Sequence, residues 1–192
     1  MNIIFVTGIG TDVGKTVASA ILCEALEADY WKPIQAGFDK GTDAEFLRSL
    51  IINKKTIIHP ETYKLKLASS PHIAARKEGI NISLNKLYED YLKIIEGKNS
   101  DYNLIIEGAG GLMVPLNDNE FIAELIKKLQ VKVVLVSKNY LGSINHSLLT
   151  AKICKENKLE VLGWMFNEDY MSYELEIEQW SGYTKIATVP TC

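Results

Sequence analysis

Ile3-Ile4-Phe5-Val6-Thr7-Gly8-Ile9-Gly10-Thr11-Asp12-Val13-Gly14-Lys15-Thr16 is the stretch that decides the fold. The apolar run Ile3–Val6 predicts a buried strand. A glycine-rich turn follows. Val17-Ala18-Ser19-Ala20-Ile21-Leu22-Cys23-Glu24-Ala25-Leu26 then has the composition and apolar spacing of a helix. Strand, glycine loop and helix are together the context of a phosphate loop. Glycines let backbone N–H groups turn inward toward phosphate oxygens. The helix behind adds unpaired N–H groups and the positive end of its dipole. Lys15 can reach β- and γ-phosphates, and the Thr16 hydroxyl can ligate Mg2+. The strict motif wants glycine where this chain has Ile9; Gly8 lies one place earlier, so the loop is one residue longer.

The rest of the composition fits one α/β domain spanning residues 1–192 with a sizeable core. Hydrophobic residues make up 47% and the net charge is −3, which gives no reason to expect nucleic acid as the main partner. No apolar run is long enough to span a bilayer, so no membrane partner is expected. The N-terminus lacks a basic segment followed by an apolar stretch, so no secretory signal is expected. The three cysteines, Cys23, Cys154 and Cys192, are far apart and show no metal-ligand spacing or disulfide framework. A reducing cytoplasm fits that usage best.

Outward from the loop, Tyr30–Ile34 reads as a second strand, followed by a loop from Gln35 to Gly41. Thr42 predicts an N-cap, with Glu45 completing a capping box and the helix running on to Ile52. Residues 53–63 carry turn and extended signals. A helix starts at Ser69-Ser70-Pro71, and a longer one runs from Leu84 to Ile95. Asn103–Glu107 reads as a strand ending in an acid, and Gly108–Gly111 as a flexible loop after it. Phe121–Leu129 is helical. Val131–Val136, β-branched nearly throughout, is the strongest strand signal. Ser143–Glu156 and Met171–Trp180 read as helices, Val161–Phe166 and Lys185–Val189 as strands. Alternating strands and helices predict a mostly parallel sheet covered on both faces, similar to P-loop NTPases. In such sheets ligands collect at the carboxyl ends of the strands. Lys15, Thr16, Lys32, Asp43 and Glu107 all sit at or near those ends. Carboxylates can hold Mg2+ and lysines can neutralise a moving phosphoryl group.

The chain resembles the dethiobiotin synthetase family. The matching residues are Val6-Thr7-Gly8 with Val13-Gly14-Lys15-Thr16-Val17-Ala18, Lys32-Pro33 with Gly37, Asp43-Ala44 and Ser70-Pro71-His72-Ile73. Glu107-Gly108-Ala109-Gly110-Gly111 follows, then Leu141-Gly142 with Ile144-Asn145-His146, then Leu149-Thr150-Ala151, and Gly163-Trp164 with Asn167. The resemblance implies an ATP-dependent ligase that converts 7,8-diaminononanoate and CO2 to dethiobiotin through a carbamate and a carbamic–phosphoric anhydride. It implies that Lys15, Lys32 and Thr11 act on phosphate and carbamate oxygens. Thr16, Asp43 and Glu107 would coordinate Mg2+, directly or through water. Asp12, Val13, Gly14, Val17, Gly108, Ala109 and Gly110 would surround the ATP, with Asn167 on the purine edge. It further implies a homodimer, with the substrate carboxylate on the start of a partner helix, here Ser143, Ile144 and Asn145.

The chain departs from the family pattern in three places. Ala36 stands where many members have a substrate-touching hydroxyl, which neighbouring Gln35 would replace. Asn167 is followed by Glu168 rather than aspartate. The sequence stops at Cys192, where the family continues with a segment flanking the base, so weaker adenine preference is expected. The alternative is a partition-type ATPase or nucleotide switch without ligase activity. Partition ATPases carry an extra lysine five residues before the loop lysine, where this chain has Gly10.

Overall fold

In the computed structural model, which describes residues 1–167 and 172–189, the opening apolar run becomes the middle strand of a parallel sheet. The strands are β1 (Asn2–Gly8), β2 (Asp29–Trp31), β3 (Ile34–Ala36), β4 (Ile58–His59), β5 (Tyr63–Leu65), β6 (Asn103–Gly111), β7 (Lys132–Lys138), β8 (Val161–Asn167) and β9 (Lys185–Val189). The helices are α1 (Lys15–Leu26), α2 (Asp43–Leu50), α3 (Pro71–Lys77), α4 (Leu84–Ile95), α5 (Ile122–Leu129), α6 (Ser143–Glu156) and α7 (Glu174–Ser181). The large sheet has the order β4-β2-β6-β1-β7-β8-β9, and β3 pairs with β5 in a small second sheet. Every ladder between these strands is parallel.

The period of two along each strand divides the core between the two faces. On one face Ile4, Val6, Tyr30, Ile105, Val134 and Met165 pack with Ala18, Ala20 and Cys23 of α1 and Leu47 of α2. On the other, Phe5, Trp31, Leu104, Ile106, Val133 and Trp164 pack with α4, α5, α6 and α7 through Leu87, Leu125, Ala151 and Ile177. Burial on both faces explains why these strands read as apolar runs rather than alternating ones.

The Thr42 capping box forms as expected: Glu45 N donates to Thr42 Oγ1 at 3.1 Å and Thr42 N donates to Glu45 Oε2 at 2.8 Å. Pro71 opens α3. Some expectations need correction. The strand expected over Tyr30–Ile34 is cut by Pro33, which has no N–H for a ladder. The Pro33 carbonyl instead accepts from Thr62 and Tyr63 N, and β3 leaves for β5. The region 53–63, read only as turn and extended, supplies β4 and the start of β5. α2 ends at Leu50 rather than Ile52, because Ile51 is already extended. Gly108–Gly111 is not a loop but the last part of β6, with Gly8 paired to Gly111 after a register shift. A Cβ at Gly111 would sit 3.0 Å from the Gly8 carbonyl, a crowded contact, so glycine eases the close approach of the strands. Of the helix expected from Met171, Met171 itself lies outside the described residues; Ser172 and Tyr173 are not helical, and α7 begins at Glu174.

Candidate active site

The carboxyl ends of β1, β2, β6 and β8 meet around the phosphate loop. The chain leaves β1 and passes through positive φ at Asp12 (57°) and Gly14 (94°) before α1 starts at Lys15. A Cβ at Gly14 would lie 2.7 Å from Asn167 Nδ2, so glycine is required there by conformation and by space. α1 has no side-chain cap and no acid in its first turn, so its leading N–H groups are left for an anion. Lys15 Nζ donates to the Gly10 carbonyl at 2.8 Å, across the loop.

Beside the loop lies a buried charge cluster. Lys32, 4% exposed, stands just past β2, and its Nζ pairs with Glu107 Oε1 at 2.9 Å and with Asp43 Oδ2. Glu107 sits on β6 and is 1% exposed. Thr16 Oγ1 donates to Glu107 Oε1 at 3.0 Å, and Tyr30 OH donates to Glu107 Oε2 at 2.9 Å. Asp43 is the first residue of α2 and remains partly open to the cavity, its side chain 39% exposed. Burial pulls the Lys32 ammonium down, but the Glu107 and Asp43 carboxylates outweigh it and hold it above its ordinary value. Lys15 is lowered to about 8, chiefly by burial, with the Lys32 charge adding to the fall and Glu107 opposing it.

A cavity of about 990 Å³ opens over this cluster, ample for a nucleotide and a small substrate. Of the residues expected in the site, Thr11, Asp12, Gly14, Lys15, Thr16, Val17, Lys32, Gln35, Ala36, Asp43, Glu107, Ala109, Gly110 and Asn167 line it. Val13 and Gly108 are not in its wall; Val13 packs in the α1 core and Gly108 lies against Phe5. Ser143, Ile144 and Asn145 begin α6 and do not line this cavity within one chain. Ser143 is buried and Asn145 exposed. Like α1, α6 starts with no side-chain cap and no acid in its first turn.

Two carboxylates, Glu107 and Asp43, thus already converge on one cation, the Lys32 ammonium, and the Thr16 hydroxyl meets the same Glu107 oxygen. Hard oxygen donors in that arrangement suit Mg2+. Among the described residues no group of three or more His, Cys, Asp or Glu forms a protein-only metal site. A metal ion here would therefore be shared between Thr16, Asp43 and Glu107 and the phosphates of a nucleotide.

An ATP-dependent dethiobiotin synthetase of Cytophaga hutchinsonii is 51% identical over 163 residues, covering 85% of this chain and 75% of that protein. The chain belongs to the dethiobiotin synthetase family. The family member of Christiangramia forsetii is 47% identical, covering 86% of this chain and 75% of its own. That of Afipia carboxidovorans is 42% identical over 186 residues, covering 96% and 85%. A family model described as an AAA domain matches residues 2–192. Among solved structures, a ParA family ATPase from Chlorobium tepidum superposes with a TM-score of 0.64 at 14% identity, covering 100% of this chain and 84% of that one. The cell division ATPase MinD of Pyrococcus furiosus gives 0.60 at 14% identity, covering 99% and 84%. At that identity the likeness is one of fold, which is P-loop NTPase-like.

Measured against the synthetase pattern, the structure adds detail at three places. Gln35 lines the cavity, but its amide is also engaged by the fold: Nε2 donates to the Gly37 carbonyl at 2.7 Å and Oε1 accepts from Asp43 N at 3.3 Å. It thereby ties the end of β3 to the start of α2, where Asp43 sits. Phe38 and Phe46 also line the cavity, and the sequence reading gave neither a role. Asn167 closes the wall beside the phosphate loop, its Nδ2 donating to the Val13 carbonyl at 3.4 Å. Glu168 and the residues after Val189 lie outside the described residues.

Proposed function

We propose that this chain closes the ureido ring of dethiobiotin at the cavity described above. The observation that carries the reading is the meeting of Lys15, Lys32 and an uncapped helix start on one cavity in a dethiobiotin synthetase family chain. An amine of 7,8-diaminononanoate adds to CO2 and loses a proton, giving a carbamate. A carbamate oxygen attacks the γ-phosphorus of ATP, the bond to the bridging oxygen breaks, and ADP leaves. The second amine attacks the carbonyl carbon of the resulting anhydride. The C–O bond to phosphate breaks, a proton is lost, and the ring is closed.

Each step brings negative oxygens together, so the protein's task is to position them and offset their charge. Lys15 holds the β- and γ-phosphates and Lys32 the carbamate and transferring phosphoryl oxygens. Thr11 lies where the two meet. The backbone at Asp12, Gly14, Ala109 and Gly110 and the side of Val17 hold the nucleotide, and Asn167 faces its base. Thr16, Asp43 and Glu107 would hold Mg2+, which would supply neutralisation of phosphate charge when bound. Gln35 and Ala36 border the substrate end.

The assembly is a homodimer. The substrate carboxylate rests on the start of the partner's α6, which is uncapped and does not line the cavity of its own chain. Among the described residues no helix is long and apolar enough to cross a membrane. The enzyme works in the cytoplasm.

The test supplies ATP, Mg2+, 13C-bicarbonate and 7,8-diaminononanoate, and follows both phosphate and product mass. Labelled dethiobiotin with one phosphate released per ring is expected. Phosphate release indifferent to the diamine would contradict the reading.

A further inference from the structure

We propose that Tyr30 is a positioning residue of the nucleotide and metal site, its buried hydroxyl holding one oxygen of Glu107 so that the other faces Thr16 and Lys32. The proposal rests on the role given to Glu107 above.

The argument begins with strand register. Tyr30 on β2 pairs with Ile105 on β6. Paired residues point to the same face, and so do residues two apart. Tyr30, Lys32, Ile105 and Glu107 therefore share the face covered by α1, and Trp31 points to the other. Tyr30 is the residue of β2 that can meet the acid from below while Lys32 meets it from the side. Its OH is 2.9 Å from Glu107 Oε2, and the ring is fully buried.

The two oxygens of Glu107 have separate duties. Oε1 takes both Thr16 and Lys32, while Oε2 takes Tyr30. A buried carboxylate oxygen without a donor is costly, and the group turns to recover one. Without the Tyr30 hydroxyl, Oε2 would compete for Thr16 or Lys32. Either move disturbs the oxygen set meant for the cation. A tyrosine in a fully apolar interior would itself lack a partner for its hydroxyl, so the acid and the phenol account for each other.

The experiment compares the full chain, Tyr30→Phe, Glu107→Ala and the double variant. Mn2+ binding is followed by electron paramagnetic resonance in the presence of a non-hydrolysable ATP analogue. Tyr30→Phe is expected to weaken Mn2+ about tenfold, the effect of one hydrogen bond to a buried charge. Analogue binding without metal should hold within about twofold, and kcat should fall while KM for the diamine stays put. In the Glu107→Ala background the same change should cost nothing more, because the hydroxyl acts through the carboxylate. Unchanged Mn2+ affinity in Tyr30→Phe overturns the proposal. So does an equal loss in both backgrounds, which would make Tyr30 a packing residue only. If Tyr30→Phe fails to fold, recovery of the fold in the double variant supports the proposal, and failure in both overturns it. Glu107→Ala that binds Mn2+ normally would remove Glu107 itself from the site, a different failure.

Discussion

Strand β2 has a buried charge near each end, and the two are handled in opposite ways. Asp29 opens the strand and Lys32 stands just past its close. Asp29 is fully engaged. Its Oδ1 accepts from Ile57 N at 3.0 Å, and its Oδ2 accepts from Tyr102 OH at 2.8 Å and meets His59 Nε2 at 3.1 Å, with Lys98 at 3.8 Å. None of these groups lines the large cavity. Lys32 is as deeply buried, yet one of its partners, Asp43, is partly exposed and the cavity opens directly above. Both clusters combine carboxylate, lysine and tyrosine side chains. What separates the two is the cavity beside Lys32, which leaves room for a further charged group.

Lysine substitution gives the largest expected contrast. Lys15→Ala and Lys32→Ala should each lower turnover at least about a hundredfold, the usual worth of a group aimed at developing charge. Steady-state phosphate release with the diamine measures this. A variant turning over like the parent would take that lysine out of the mechanism. Next comes Asp29→Ala, which leaves His59 and Tyr102 without their acceptor. It should cost about 3 kcal/mol of stability and lower Tm by about 10 °C in a thermal melt, with turnover at 25 °C near that of the parent. A large loss of turnover in the folded variant would erase the distinction between the two ends.

The smallest effect concerns protons. Burial lowers Lys15 to about 8 in the free protein, and phosphate charge beside it must raise that value. Lys15 is therefore mostly charged below pH 8 and mostly neutral above it, until nucleotide arrives. Triphosphate binding should take up a fraction of a proton between about pH 8 and 9.5, and almost none at pH 6.5. Affinity should fall as pH rises through that window. Calorimetry in two buffers of different ionisation heat reads the uptake directly, and no uptake at pH 8.5 would contradict the lowered Lys15.

The phosphate loop, its flanking elements and the parallel sheet were legible in the sequence because strand, loop and helix signals agreed over one short stretch. The Thr42–Glu45 capping box was legible for the same local reason. The glycines after Glu107 misled, since propensity says loop; strand pairing of β6 with β1 overrode it, at a spacing where a Cβ at Gly111 would be crowded. Pro33 carried a usable signal, a missing N–H, that marks the break between β2 and β3. β4, two residues long, was too short for any periodicity to reveal. In the site, Lys32, Asp43 and Glu107 were readable from their places at strand and helix ends. Tyr30 was readable only as the opening of a strand. Its two-residue spacing from Lys32 was the clue, but using it requires the β2–β6 register, which depends on contacts far apart in sequence. The involvement of Gln35 with Asp43 N likewise depends on a fold of β3 onto α2 that local pattern does not encode.

A crystal structure with a non-hydrolysable ATP analogue, Mg2+ and carbamylated diaminononanoate tests the central claim most directly. The expected result has Lys32 Nζ within hydrogen-bond distance of the terminal phosphate or the carbamate, with Thr16, Asp43 and Glu107 grouped about the metal directly or through water. A triphosphate bound with Lys32, Asp43 and Glu107 all turned away from its terminal phosphate would contradict it.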